Sequence, residues 1–503
     1  MRRRSVLAAG VALFAGCSTF SGNENADDRS TTPQSTGNTP TPTSENTTEQ
    51  ELNQSSDDDD IWHEFDSVAL PDTRTVVDFD TVPLSATAVG EVQTTDGLAV
   101  EMDMISGATV DSPATLTVVV KNRLSYKQTI RPYRLVVMDN PPVGWSVEEN
   151  TIYLAPTEDH PFVETVPEYE RDDEGRWRVA TLAEDWFPKT LTLPPERAFT
   201  AEYYVFAPPV RDKSPVEPGR YQFPPGSYTG FELVVWPTDE PGPQGRSQFE
   251  DVNPPYLVGA ERMAWFHNAS PGTTRYVQPA TETVELPGTI KFELRNRSAE
   301  PMLGNPRYWR VHKLVEGKWF PIAPWQWPQP ATVLGPGERD QSTLALFHGE
   351  PIDIEARTVG YIGGGTYAYE LRFSTEEPRT HAAMFEVEAP DVTLDIEERA
   401  TVTEDGLTTV VTMPNHADAS RPATAVVTPT DETPDKRLLP EQLPRRRFRV
   451  LWNSLPLFTA RDSREEIHVR TNQATVREVL DDADDEPVFE YRNMTYRVTA
   501  SMT

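Results

Sequence analysis

Thr115-Leu116-Thr117-Val118-Val119-Val120-Lys121-Asn122-Arg123 and Thr289-Ile290-Lys291-Phe292-Glu293-Leu294-Arg295-Asn296-Arg297 align without a gap. Leu116, Val118 and Val120 fall on Ile290, Phe292 and Leu294, so a large apolar side chain recurs at every second residue in both. That period puts three side chains on one face of a strand and turns the face toward a core. The Asn-Arg pair that follows marks the exit into a turn. The two stretches read as the same strand in two copies of one unit.

Further landmarks recur in the same order. Glu174-Gly175-Arg176-Trp177 matches Glu316-Gly317-Lys318-Trp319. Leu193-Pro194-Pro195-Glu196-Arg197 follows the first tryptophan by 16 residues, and Leu334-Gly335-Pro336-Gly337-Glu338-Arg339 follows the second by 15. Each leads into an expected strand, Thr200 to Phe206 and Gln341 to Phe347. Each copy is expected to close on an aromatic strand introduced by glycine. In the first, Gly219-Arg220-Tyr221 leads to Phe231 to Trp236; in the second, Gly365-Thr366-Tyr367 leads to Tyr369 to Phe373. The first copy holds roughly 30 extra residues between Arg123 and Glu174.

Short strands separated by turn signals, in a chain with 47 prolines and no long amphipathic helix, predict a mainly β fold of the sandwich type. The strand ending in Leu294-Arg295-Asn296-Arg297, the Gly317-Lys318-Trp319 turn, the Leu334 to Glu338 turn and the Gly365 to Tyr369 strand resemble bacterial and archaeal immunoglobulin-like surface domains. That resemblance implies two tandem immunoglobulin-like sandwiches, an enlarged one over 61–240 and a second over 241–390. It implies little about function, because this architecture hosts many unrelated roles. From 391 to 503 the pattern changes to a small α+β or all-β domain. Its expected strands are Val392 to Ile396, Leu407 to Thr412, Arg447 to Trp452 and Glu466 to Arg470. A short helix is expected over Ala474 to Asp481, and a closing hairpin over Pro487 to Tyr491 and Thr495 to Thr499.

The N-terminus carries an address. Met1-Arg2-Arg3-Arg4-Ser5 is positive, Val6 to Gly16 is uncharged and apolar, and Phe14-Ala15-Gly16 puts small residues before Cys17, the only cysteine of the chain. The apolar part is too short for a permanent membrane span and has the order of a signal peptide. Arg3-Arg4-Ser5-Val6-Leu7 resembles a twin-arginine export motif, and Phe14-Ala15-Gly16-Cys17 resembles a lipobox with Phe14 where leucine is usual. The resemblance implies a signal peptide over 1–16, a lipid on Cys17 and a location on the outer face of the cytoplasmic membrane. Residues 17–60 are rich in Ser, Thr, Asn, Pro and acids and end in Asp57-Asp58-Asp59-Asp60. With two large apolar residues, Phe20 and Leu52, this acidic Ser/Thr/Pro segment cannot offset its ordering entropy and reads as a disordered tether.

Asp and Glu number 79 against 46 Lys and Arg, a formal charge of −33, and only eight of the cations are lysine. Such a surface repels itself in dilute buffer, whereas in molar salt the Debye length falls to about 3 Å. The composition resembles proteins of extreme halophiles, haloarchaea in particular. It excludes nucleic acid as a partner, which calls for basic patches.

Chemistry is sparse in the sequence. The eight histidines are scattered with no His-Glu-x-x-His pair, and neither a Gly-x-Ser-x-Gly elbow nor a phosphate-cradling Gly-Lys loop occurs. No cofactor, metal site or catalytic residue is assigned. Trp325 and Trp327, flanked by prolines, are the binding candidates, since alternating rings around one Gln should point the same way and could stack on a sugar or a partner. Asn46, Asn53, Asn268, Asn296 and Asn493 head glycosylation sequons. Arg445-Arg446-Arg447 with Arg449 is the one dense basic cluster, read as pairing with carboxylates of the same chain, with an acidic glycan as the alternative. The expectation is a non-catalytic, lipid-anchored surface protein that binds a surface protein or glycan or builds the envelope. The alternatives are a surface hydrolase or accessory subunit of one, and a protease-inhibitor-like protein.

Overall fold

The structure is a computed structural model. It describes residues 61–502 apart from 71–73, 94–96, 140, 174–175, 183–185, 210–215, 224–229, 375–379, 406–407, 461–464 and 481–485. Cys17, Arg3, Arg4, Asn46, Asn53 and the tether expected over 17–60 therefore lie outside the described residues. The described residues belong to one compact unit, and the fold is mainly β, in several sheets.

The strand Ala114–Asn122 lies at the heart of the first sheet system, between Leu98–Ser106 and Arg197–Phe206. Leu116, Val118 and Val120 are fully buried, as their spacing predicts. The sheet continues through Thr151–Pro156 and Val143–Trp145 to Gly219–Phe223, Phe231–Pro237 and Leu84–Val89, so the strands curl around one core of 36 buried apolar side chains. Continuity narrows to a single pair, Gln222 opposite Trp145, where the sheet turns.

The second system has two separate layers. Arg275–Pro279, Gly288–Asn296, Arg339–Leu346 and Arg357–Val359 form one sheet. Thr283–Glu285, Thr380–Glu388, Gly365–Ser374, Arg310–Val315 and Lys318–Ala323 form the layer opposite. Ile290, Phe292 and Leu294 meet Tyr367, Tyr369 and Phe385 between the layers. Here the alternation is strict, because the other face of Gly288–Asn296 carries Lys291, Glu293 and Arg295 outside the core.

One expected correspondence shifts by a strand. Phe231–Pro237 pairs with Gly219–Phe223 as a separate strand. In the second system Tyr367 and Tyr369 to Phe373 belong to one long strand, Gly365–Ser374, whose neighbour is Thr380–Glu388. The counterpart of Phe231–Pro237 is thus Thr380–Glu388; both are apolar and follow the tyrosine-bearing strand, and chain order alone misassigned them.

The C-terminal part is α+β. Its sheet orders Thr401–Asp405, Thr408–Thr412, Glu466–Asn472, Pro422–Pro429, Met494–Met502, Val488–Tyr491 and Lys436–Arg437. The helix Gln473–Leu480 buries Val476, Val479 and Leu480 against this core. The hairpin turns at Arg492 and Asn493, both at positive φ. Two expected strands are not strands. Arg446–Phe448 is a 3-10 turn leading into the helix Arg449–Trp452. Phe448, Val450, Leu451 and Leu455 are all buried, and burial of the adjacent pair Val450 and Leu451 with Leu455 four residues on fits a helix rather than the local Arg-Phe-Arg-Val alternation. Val392 to Ile396 buries Val392 and Leu394 but joins no ladder. Trp452 Nε1 donates to Asp395 O at 2.7 Å, and Asn453 Oδ1 accepts from Glu397 N at 3.1 Å, so side chains pin it.

Candidate functional site

The two sheet systems meet through the Leu334 to Arg339 turn. Gly337, at φ +70°, rests on the outer face of the first system, where a Cβ would lie 2.5 Å from Thr87 Cγ2 and 3.4 Å from Trp236 Cζ3. Arg220 of Gly219–Phe223 donates to Gly337 O and pairs with Glu232 on the adjacent strand. Beside this joint opens a cleft of ≈ 440 Å³, to which both systems contribute.

Four guanidiniums line the cleft: Arg220 from the first system, and Arg295, Arg297 and Arg339 from the second. Glu293 lies 3.2 Å from both Arg295 and Arg339. Arg297 donates to the Pro241 carbonyl at 2.7 Å. Burial pushes Arg220 below its ordinary value; Glu232 pulls the other way and Arg339 adds to the push. Burial likewise lowers Arg297, helped by Arg295 and Arg220. Burial opposes ionisation of Glu293, but Arg295 and Arg339 prevail and hold the carboxyl below its usual range. Glu338 and Glu148 also line the space; Glu338 Oε2 accepts from Gly335 N at 2.6 Å, and Glu148 is exposed. Trp145, 48% exposed, stands at the same cleft with Gln222 and Gln278. These are groups for holding an anion and a flat polar ligand, with no nucleophile–base pair among them.

Sequence reasoning did not assemble this site, since its parts come from four distant segments. A signal was present: Glu293 and Arg295 alternate on the face of Gly288–Asn296 opposite the core, Arg297 follows at the same spacing just past the strand, and charged residues so spaced mark a solvent-facing side.

The binding candidates Trp325 and Trp327 do not form one shelf. Trp325 packs on Phe448 at 5.6 Å, beneath the cations of Lys436 and Arg447. Trp327 meets Tyr308 edge-on at 4.3 Å, with Arg310 over its ring. Both are half-buried structural contacts on different partners. Trp319, buried, stacks on Trp265 beneath the 249–265 segment rather than in the main core. Among the sequons, Asn268 and Asn493 are exposed. Asn296 is corrected: it is 0% exposed, and its Nδ2, the atom a glycan would occupy, donates to three backbone carbonyls. The arginine cluster is spent within the chain. Arg446 pairs with Glu478 at 2.6 Å, Arg449 with Glu397, and Arg445 donates to Gly360 O and Glu441 O.

Two histidine–carboxylate pairs form among the described residues: His468 with Glu466 at 3.0 Å, half-exposed, and a buried set around His312. His312 Nε2 donates to Glu370 at 2.7 Å, and Tyr308 and Arg372 donate to the other carboxylate oxygen, each at 2.9 Å. Both His312 and Glu370 are 0% exposed, and burial holds the imidazole below its ordinary value. The set is a sealed polar core rather than a site facing a cleft.

No known family profile matches the chain, and no curated protein does. Among solved structures, a polysaccharide lyase is similar at 8% identity and a TM-score of 0.13, over 60% of this chain and 39% of the lyase. Alpha-2-macroglobulin of E. coli is similar at 9% identity and a TM-score of 0.12, over 86% of this chain and 29% of its own length. Neither likeness carries an argument about fold or function.

Proposed function

We propose that this chain is a lipid-anchored, twin-arginine-exported surface protein of a halophile, in which two tandem immunoglobulin-like sandwiches bind an envelope partner without catalysis. The observation that carries the reading is the joint itself: two sheet systems locked by the Gly337 turn and Arg220, with an arginine-lined cleft left open beside the lock. The duplicated-sandwich part is supported by two details of hydrogen bonding. Tyr221 OH donates to Glu217 O at 2.7 Å and Tyr367 OH to Gly363 O at 2.8 Å, each four residues back along the chain. A tyrosine so bonded near the start of its strand is a hallmark of the immunoglobulin fold. The Arg3-Arg4 pair and Cys17 supply the export and anchoring part, with a dual-chain lipid required for firm attachment because one acyl chain holds only marginally.

Expression of Cys17→Ser beside the parent chain in a halophilic host tests the reading. The parent should fractionate with membranes and carry a lipid at its mature N-terminus, while the variant should appear in the medium. Retention of the variant on the membrane, or an unprocessed N-terminus on the parent, would overturn the anchor.

A further inference from the structure

Resting on the surface-binding reading, we propose that the cleft beside the Gly337 joint is a recognition site for an acidic sugar, a carboxylate- or sulfate-bearing glycan. The charge arrangement comes first. Glu232 pairs with Arg220, and Glu293 is shared between Arg295 and Arg339. Glu338 is engaged with its own turn, Glu148 lies out in solvent, and Arg297 meets a carbonyl rather than a carboxylate. The lining thus sets four guanidiniums against four carboxylates, a local balance in a chain whose formal charge is −33. Burial lowers Arg220 and Arg297 and neighbouring guanidiniums add to the push, and an anion placed between them relieves it.

Salt selects the mode of binding. With a Debye length of about 3 Å in molar salt, only groups in contact still attract. Planar guanidinium forks that bond a carboxylate through two parallel N–H groups retain their strength there better than point charges do. A sugar, rather than an acidic peptide, is indicated by what surrounds the forks. Trp145 offers an exposed flat ring on which a pyranose face can stack, and the amides of Gln222 and Gln278 suit neighbouring hydroxyls. A volume of ≈ 440 Å³ has room for about one or two sugar rings, within the usual range for small-ligand sites.

The test titrates the full-length chain, in molar KCl, with tetragalacturonate, neutral maltotetraose and an oligoglutamate peptide. Calorimetry and the change in tryptophan emission that is lost in Trp145→Ala are the readouts. Tetragalacturonate should bind and shift the emission, and the other two should not. Arg339→Gln and Trp145→Ala, both at partly exposed positions, should each weaken binding about tenfold, the loss of one charge-assisted or stacking contact. Arg297→Lys, which keeps the charge and removes the fork, should weaken it too. Equal binding of the neutral sugar, preference for the peptide, no binding of tetragalacturonate, or unchanged affinity in folded Arg339→Gln and Trp145→Ala would each overturn the assignment. The two readings fail separately: an anchored protein that ignores tetragalacturonate loses the cleft alone, and a cleft that binds it on a chain released without processing loses the anchor alone.

Discussion

Asn122 and Asn296 make the same four hydrogen bonds in the two sheet systems. Each Nδ2 donates to the carbonyl four residues on, Tyr126 at 3.0 Å or Glu300 at 2.8 Å. Each also donates to both carbonyls at the head of the distant turn, Leu193 and Pro194 or Leu334 and Gly335. Each Oδ1 accepts the N–H two residues on, Leu124 or Ser298, at 3.1 Å. One buried amide thus ties the end of the central strand to the turn that enters the next. Asn296→Ala should destabilise the chain by about 2–4 kcal/mol, because buried carbonyls lose their donors. Asn296→Asp should do at least as much, since a carboxylate would face three carbonyl oxygens. Denaturant midpoints in molar salt check both, and a loss under 1 kcal/mol for both would refute the clasp.

The same burial predicts a glycosylation pattern. Mass spectrometry of protein from a glycosylating halophilic host should find Asn296 bare, while Asn493, exposed on its hairpin turn, is open to modification. A glycan on Asn296 in folded protein would contradict the clasp directly.

Acid should unlock the first core. His160 Nδ1 accepts from Phe162 N at 3.1 Å, so Nε2 carries the hydrogen and donates to Tyr203 OH at 2.9 Å. Burial pushes this imidazole down to about 3, against a backbone hydrogen bond that raises it. The unfolded chain takes up a proton near pH 6.5 that the folded chain refuses, so stability is whole above that pH and falls as pH drops toward about 3. Between pH 6.5 and 5 the loss from this residue is about 2 kcal/mol. His160→Asn, which keeps an acceptor for Phe162 N, should flatten that part of the pH dependence.

Gly337→Ala should strain the joint twice, through its left-handed backbone and through the 2.5 Å approach to Thr87 Cγ2, for about 2–3 kcal/mol in all. Thr87→Ser removes that methyl while keeping the hydroxyl that bonds Thr75 O, and should recover part of the loss. Absence of coupling in the double mutant would place the joint elsewhere.

Dilution from molar salt should loosen the fold, since a formal charge of −33 is then unscreened. Near-UV circular dichroism should collapse as salt is withdrawn; an unchanged spectrum in dilute buffer would remove the halophile reading.

Much of the β architecture was legible because strands bury one face at a period of two, and Leu116 to Val120 and Ile290 to Leu294 display it openly. The helix at Gln473–Leu480 was legible for the parallel reason. What misled was local pattern without tertiary context. Arg447 to Val450 alternates like a strand but is folded as a turn and helix by Phe448, Val450, Leu451 and Leu455 reaching a common core. Trp325 and Trp327 looked like partners because they are close in sequence, yet each is claimed by a different neighbour. The cleft was illegible for a stronger reason: it exists only because one turn docks on another sheet, and docking leaves no periodicity.

The turn that plugs the second sheet system into the first has a twin. Glu196, at φ +52°, stands in the first system where Gly337 stands in the second, three residues past the clasped leucine. A socket that rejects even a single methyl cannot admit a glutamate, so the first copy carries a blunted plug. The two turns thus differ in docking capacity by one side chain, and among the described residues only the one that ends in glycine is seated on a neighbouring sheet.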